Sequence, residues 1–299
     1  MKKIKYLLIL LILFSTGCLK KDNMEGIKIY TTTYPIEYIT NRLYGNYSEV
    51  LSIYPNGVNI QLDSADIDNN LYTLTDKQLK DYSNSDLFIF NSLLYESNYV
   101  ETMFNNNKKL KIINATDHLT MDEFYDYEEI WLNPSRLLTV ARNIKNGFKE
   151  YVTNYYIKQD IESNFDSLKE DLDKLDSKIS QATKNADNKV IVVSSDLFKY
   201  LSKDKYGLTV YSLEENENLT SKTISDVKEL IKNGQVKYIY IKQHEEANET
   251  INNLIKGTDV KLIELHTLTN LTEQERQNKK DYFSIMNENI ELLNLSLYN

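Results

Sequence analysis

The sequence predicts an α/β protein of two lobes, each with a mainly parallel sheet flanked by helices, joined by one long helix. Three observations carry this. Short β-rich apolar runs alternate with helical patterns in the first half. That rhythm stops between Pro134 and about Lys184, and it resumes after Lys189. Strands separated by helices build βαβ units, whose crossovers make neighbouring strands parallel.

The first run is Ile27–Thr31, followed by a helical spacing through Ile36, Ile39 and Leu43. Val50–Tyr54 is next, then a loop and a helix near Asp76–Tyr82, and Leu87–Phe90 and Leu110–Ile113 complete four strands. From Pro134 to Lys184 there is no further proline and one glycine, Gly147. Within that stretch Ile161, Phe165, Leu168, Leu172, Leu175 and Ile179 recur at spacings of four and three, the apolar stripe of a long amphipathic helix over 158–184. Fewer than three full heptads favour packing against the same chain over a coiled-coil dimer. Four more strands follow at Lys189–Val193, Leu208–Tyr211, Val236–Ile241 and Val260–Ile263, and a last helix runs from about Asp281 to Leu297. The expected divisions are an N-terminal lobe over 27–157, the linking helix over 158–184 and a C-terminal lobe over 185–299. Ligands of open parallel sheets sit beyond the carboxyl ends of the strands, here in a cleft between lobes.

The N-terminus has a different character. Lys2, Lys3 and Lys5 precede an apolar run from Tyr6 to Phe14, too short to span a bilayer and therefore expected to be a signal peptide over 1–17. It ends at Ser15-Thr16-Gly17-Cys18, with the chain's single cysteine. This segment resembles the bacterial lipobox, in which the cysteine is acylated, with Ser15 standing where leucine is usual. Cys18 is thus the expected lipid attachment and 18–26 a polar tether. With one cysteine no internal disulfide forms, and the fold stands on its core. Charged residues at 26% and hydrophobic residues at 41% indicate a globular body after the leader, long enough for two modest domains. A net charge of −9 argues against nucleic acid as partner.

Six segments in order resemble one family. They are Tyr30-Thr31-Thr32-Thr33-Tyr34-Pro35, Tyr54-Pro55-Asn56-Gly57-Val58-Asn59, Ser85-Asp86-Leu87-Phe88-Ile89-Phe90-Asn91, Glu129-Ile130-Trp131-Leu132-Asn133-Pro134, Ser194-Ser195-Asp196-Leu197-Phe198, and Asp281-Tyr282 through Asn287 to Asn289. The fourth is the most specific, being similar to the motif H-x-W-L-D-P. Together they resemble the zinc and manganese solute-binding lipoproteins of ABC transporters, the family that includes the pneumococcal-type surface adhesins. The resemblance implies a permease as partner, a place on the outer face of the cell membrane, and one metal held between the lobes by histidines and a carboxylate. Carried over position by position, those ligands fall at Gln61, Glu129, Ser195 and Asn270. None of the chain's three histidines takes a ligand position.

Such a set offers amides, a hydroxyl and one carboxylate, lacking the imidazoles that hold zinc, so zinc affinity is expected to be weak. A divalent metal remains one possible ligand, because hard cations accept oxygen donors, though usually several carboxylates. The cavity takes a small polar solute, or it binds a metal through rearranged ligands that draw on His266, or it has lost small-ligand binding and the protein serves a structural or adhesive role at the surface. For His266 the plain alternative is a satisfied histidine at a strand end; His118 and His244 are given no ligand role. The acidic run Asp122, Glu123, Asp126, Glu128 and Glu129 is first a solvated loop and second a cation-gathering one. No nucleophile has a histidine beside it in sequence and none of the eight glycines forms a phosphate-binding loop, so no enzyme is expected.

Overall fold

The computed structural model describes residues 23–60, 62, 72–120, 126–202 and 205–298. The expected signal peptide, Cys18, Gln61, Asp122 and Glu123 lie outside these residues. No helix among them is long and apolar enough to cross a membrane.

The chain opens with β1 (Ile27–Thr31), α1 (Tyr34–Tyr44), β2 (Ser48–Ser52), α2 (Asp76–Tyr82), β3 (Leu87–Phe90), α3 (Ser97–Asn106) and β4 (Lys111–Asn114). All neighbours pair in parallel, in the order β2-β1-β3-β4. β3 is buried along its whole length, as a central parallel strand covered on both faces must be. Thr75 and Gln78 form a reciprocal capping box at the start of α2.

Three helices follow: α4 (Glu129–Leu132), α5 (Pro134–Tyr151) and α6 (Tyr155–Lys184). Proline opens α5, where its missing N–H is not needed, and the Asn133 side chain caps it. Asn154 caps α6 through the N–H groups of Tyr156 and Ile157, which starts the helix three residues before the apolar stripe alone placed it. The stripe from Ile157 to Ile179 is buried. It packs against α1 and α5 on one side and the C-terminal lobe on the other, so one helix belongs to both cores.

Gly147 sits in α5 directly over β4. A Cβ there would lie 2.7 Å from Ile113 Cγ1 and Cγ2 and 2.9 Å from its Cδ1. Alanine gains about 1 kcal/mol in helix propensity, but overpacking a filled core costs about 1–3 kcal/mol. G147A is therefore expected to lose about 1 kcal/mol net, read as a lower urea midpoint with unchanged m-value.

The second lobe repeats the first. β5 (Val190–Val193), a 3-10 turn (Asp196–Leu201), β6 (Thr209–Ser212), α7 (Ser221–Lys232), β7 (Tyr238–Lys242), α8 (Glu249–Ile255) and β8 (Lys261–Leu265) give the parallel order β6-β5-β7-β8. α9 (Glu273–Gln277) and α10 (Tyr282–Leu297) close the chain. Asp281 and Ser284 form the capping box of α10. The eight strands among the described residues fall on the apolar runs of the sequence, most displaced by one or two residues.

The lobes are tied by short bonds at their facing ends. Buried Trp131 donates its indole N–H to Thr267 O at 2.7 Å, and its own carbonyl accepts from Tyr282 Oη at 2.7 Å. Arg276 makes two parallel bonds to the Glu37 carboxylate, at 2.7 and 2.8 Å. Gly57, at φ +73°, turns its N–H to Leu271 O at 2.9 Å; the left-handed conformation favours glycine here.

Candidate functional site

A cleft of about 590 Å³ separates the lobes at the carboxyl ends of their strands. One wall is Gly57–Ile60, after β2, with Asp126–Glu128, ahead of α4. The other is Glu214 after β6, Lys242–Glu245 after β7, and residues of the His266–Glu275 segment after β8. In both sheets the strand order reverses next to the first strand, between β1 and β3 and between β5 and β7. β7 therefore delivers Lys242 to the crevice that such a reversal opens.

The four positions carried over from the resemblance fare differently. Gln61 lies outside the described residues, although its chain neighbours Ile60 and Leu62 both line the cleft. Glu129 is the first residue of α4 and is buried, near the Tyr200 ring, but is not among the residues lining the cleft. Ser195 is buried as the cap of the 3-10 turn: its Oγ accepts from Leu197 N–H at 3.2 Å and lies 3.3 Å from Glu214 Oε2. Asn270 does border the cleft. Its Nδ2 donates to Pro55 O at 2.8 Å and Val58 O at 3.2 Å, and its Oδ1 accepts from Leu271 N–H at 2.9 Å. The amide is engaged in holding the opposite wall.

His266 follows β8 and is partly buried, its side chain 13% exposed. Its Nδ1 accepts from Leu268 N–H at 2.8 Å, and its Nε2 lies 3.2 Å from Glu275 Oε1. The Asn289 side chain holds its backbone N–H and C=O at 3.0 and 2.8 Å. Burial lowers its pKa against the pull of Glu275, favouring a neutral ring with the proton on Nε2, a tautomer assigned from the bonding pattern. An imidazole does stand beside a carboxylate in the groove, but both ring nitrogens are already engaged. It is a satisfied histidine at a strand end. His118 is exposed beside Asp117. His244 borders the cleft in the turn after β7.

The acidic run does not behave as a solvated loop where it is described. Glu128 is 7% exposed and Asp126 22%, and both face Lys242, which is 15% exposed. The ammonium Nζ lies 3.0 Å from Asp126 Oδ2, 3.5 Å from Glu128 Oε1 and 4.0 Å from Glu245 Oε1. Burial opposes the charge on Lys242, but Glu128, Asp126 and Glu245 outweigh it and hold the ammonium above the ordinary lysine range. For Glu128 burial wins over Lys242, pushing its carboxyl up to about 8. Asp126 is the nearest of the three carboxyl groups to the ammonium. Among the described residues no group of three or more His, Cys, Asp or Glu is arranged to hold a metal ion. Lys242 itself carries no sequence signal: one lysine among 35 basic residues matches no motif, and only its place at a strand's carboxyl end sets it apart.

Two parallel-sheet lobes facing across a cleft, pinned by a shared helix, define a two-lobed α/β class of fold. Residues 29–294 match the family described as zinc-uptake complex component A, periplasmic (ZnuA), and the chain belongs to that family. It is 25% identical to the zinc-binding lipoprotein AdcA of Streptococcus pneumoniae strain R6, over 98% of this chain and 60% of that protein. The chain thus spans about 60% of the length of that curated relative. It is also 25% identical to the manganese ABC transporter substrate-binding lipoprotein PsaA of S. pneumoniae, over 93% of this chain and 91% of that one. Among solved structures, the Zn(II)-bound ZnuA-like domain of S. pneumoniae AdcA superposes with a TM-score of 0.70 at 23% identity, covering 92% of this chain and all of that one. The metal-dependent lipoprotein YcdH of Bacillus subtilis gives 0.70 at 21%, covering 91% and 100%. These likenesses establish the fold.

Proposed function

We propose that the protein is an extracytoplasmic solute-binding lipoprotein of a zinc/manganese-type ABC importer, with an altered ligand site. In this proposal acylated Cys18 holds it at the outer face of the membrane, a permease receives its cargo, and it binds without catalysing a reaction. The observation that carries the altered site is how the ligand positions are spent. Ser195 caps a turn, Asn270 ties Pro55 and Val58, and Glu129 stands behind the wall. A cavity of about 590 Å³ suits a small organic solute. Its described walls carry the acids Asp126, Glu128, Glu214, Glu245 and Glu275 against one lysine, which favours a polar or cationic one. Asn270 would border that solute, while Glu129 and Ser195 support the walls, and Gln61 remains a ligand position only by the resemblance.

Elemental analysis of protein purified without chelators is the test, followed by thermal shift against metals and a panel of polar and cationic solutes. The expected result is substoichiometric zinc and manganese with a rise of several degrees from an organic solute. One tightly held equivalent of zinc or manganese would overturn the altered site. Absence of both metal and solute would move the protein to the structural or adhesive class of surface lipoproteins.

A further inference from the structure

The carboxylates around Lys242 come from both lobes. Asp126 and Glu128 precede α4 on one wall; Lys242 and Glu245 belong to the turn after β7 on the other, where Glu245 N–H donates to Lys242 O at 3.2 Å. A single positive charge therefore bridges the lobes at the cleft. Glu128 points to a cation independently of that count: its Oε2 is fully buried and has no hydrogen-bond partner, although the side chain borders the cleft. A buried carboxyl oxygen left unpaired is destabilising unless a proton or a positive charge compensates it, and Lys242 is the cation beside the other oxygen.

We infer that Lys242 Nζ is a built-in substitute for a bound cation: the shell of Asp126, Glu128 and Glu245 is an ammonium site, filled from within the chain, that holds the lobes together without a metal ion. A protein of this kind needs no divalent ion to join its walls. It also resists loading by one, since a divalent ion entering the shell meets a tethered like charge that must be expelled. Emptied of the lysine, the same carboxylates are left as an uncompensated acidic shell and accept an external cation. As they stand around the lysine, the carboxylates are not arranged to hold a metal ion; removing the lysine frees their oxygens to close on a divalent ion, and a primary alkylammonium reproduces the lost head group. The inference does not depend on a transported solute or a permease, and its probes are simple cations.

The test uses chelator-treated full-length mature protein and the variants K242M and K242A. Both are expected to unfold several degrees below wild type. Millimolar Mn²⁺ or Ca²⁺ should then restore several degrees to each variant, and propylammonium should restore K242A, while the same additions shift wild type by less than a degree. Titration calorimetry should show the variants binding Mn²⁺ at least tenfold more tightly than wild type. A lysine that merely packed against the wall would lower stability without creating cation-dependent recovery. Equal stabilisation of wild type and variants by divalent ions would overturn the inference, as would variants that no cation restores. If neither variant folds unaided, recovery of folded protein on refolding with Mn²⁺ or propylammonium supports it, and failure to recover overturns it.

Discussion

Trp131→Ala is expected to destabilise the protein by about 3–5 kcal/mol, the usual range for emptying a buried tryptophan site, with more added for the orphaned carbonyl. Trp131 is 2% exposed and stands where the two lobes meet. Its indole N–H satisfies Thr267 O, in the segment that runs from β8 along the cleft, and its carbonyl accepts from buried Tyr282 of α10. Removing the ring loses apolar burial and leaves Thr267 O without that donor, a further penalty of about 1–3 kcal/mol where no water replaces it. Trp131→Phe separates the two terms, because it keeps most of the ring and loses only the donor; its expected cost is about 1–3 kcal/mol. Trp131 is the only tryptophan, so unfolding of the variants must be followed by circular dichroism in urea. The functional consequence is local. With Arg276–Glu37 and Asn270 still linking the lobes, both variants should keep a single cooperative transition while the His266–Glu275 wall loosens.

Replacing Glu96 by glutamine should remove a steep pH dependence of stability. Glu96 is wholly buried in the N-terminal lobe, with no charged partner and only the Thr32 side chain and its own backbone N–H to oppose the effect of burial. Burial pushes its pKa well above the usual 4.5, so the folded protein carries it neutral. In the unfolded chain it ionises near 4.5. Above that pH the folded state therefore holds one proton more than the unfolded state, and stability falls as pH rises, by about 1.4 kcal/mol per unit. Other groups titrate as well. Glu128 contributes with the same sign up to about pH 8. His266, whose pKa is lowered, contributes stability above pH 6.5 that is lost as pH falls. Both are common to wild type and variant, so the difference between them isolates Glu96. Urea unfolding between pH 5 and 8 should show E96Q near wild type at the acid end and progressively more stable than it as pH rises. Parallel curves for the two proteins would show that the carboxyl is ionised in the fold.

Much of the architecture was legible because it rests on periodicity. Alternating apolar runs and helical spacings located all eight strands, and the stripe from Ile161 to Ile179 announced the shared helix. Boundaries drifted where side-chain caps decided them, as at Asn154, since a cap is a local bond that apolar spacing does not register. Six short motifs in order were enough to place the chain among the zinc-uptake component A proteins. The cleft was a different matter. Matching the motifs brought Glu129, Ser195 and Asn270 forward as candidates. In the fold Glu129 lies behind the wall, Ser195 caps a turn and Asn270 ties the lobes at the cleft's edge, arrangements of burial and hydrogen bonding that lie in the fold and not in the alignment. Lys242 went unnoticed, and the acids facing it were first taken for a solvated run.

What this sequence determined by itself is the α/β pattern, the order of its elements and the identity of the residues, Gln61, Glu129, Ser195 and Asn270, at the positions carried over from the resemblance. Hydrophobic spacing and residue identity are properties of neighbours in the chain, and they survive without coordinates. Only the tertiary structure decided which charge meets which. Asp126 and Lys242 are 116 residues apart in the chain and 3.0 Å apart in the protein. Electrostatic interaction depends on distance and burial, and both are created when β7 carries its last residue into the opposite lobe's acids.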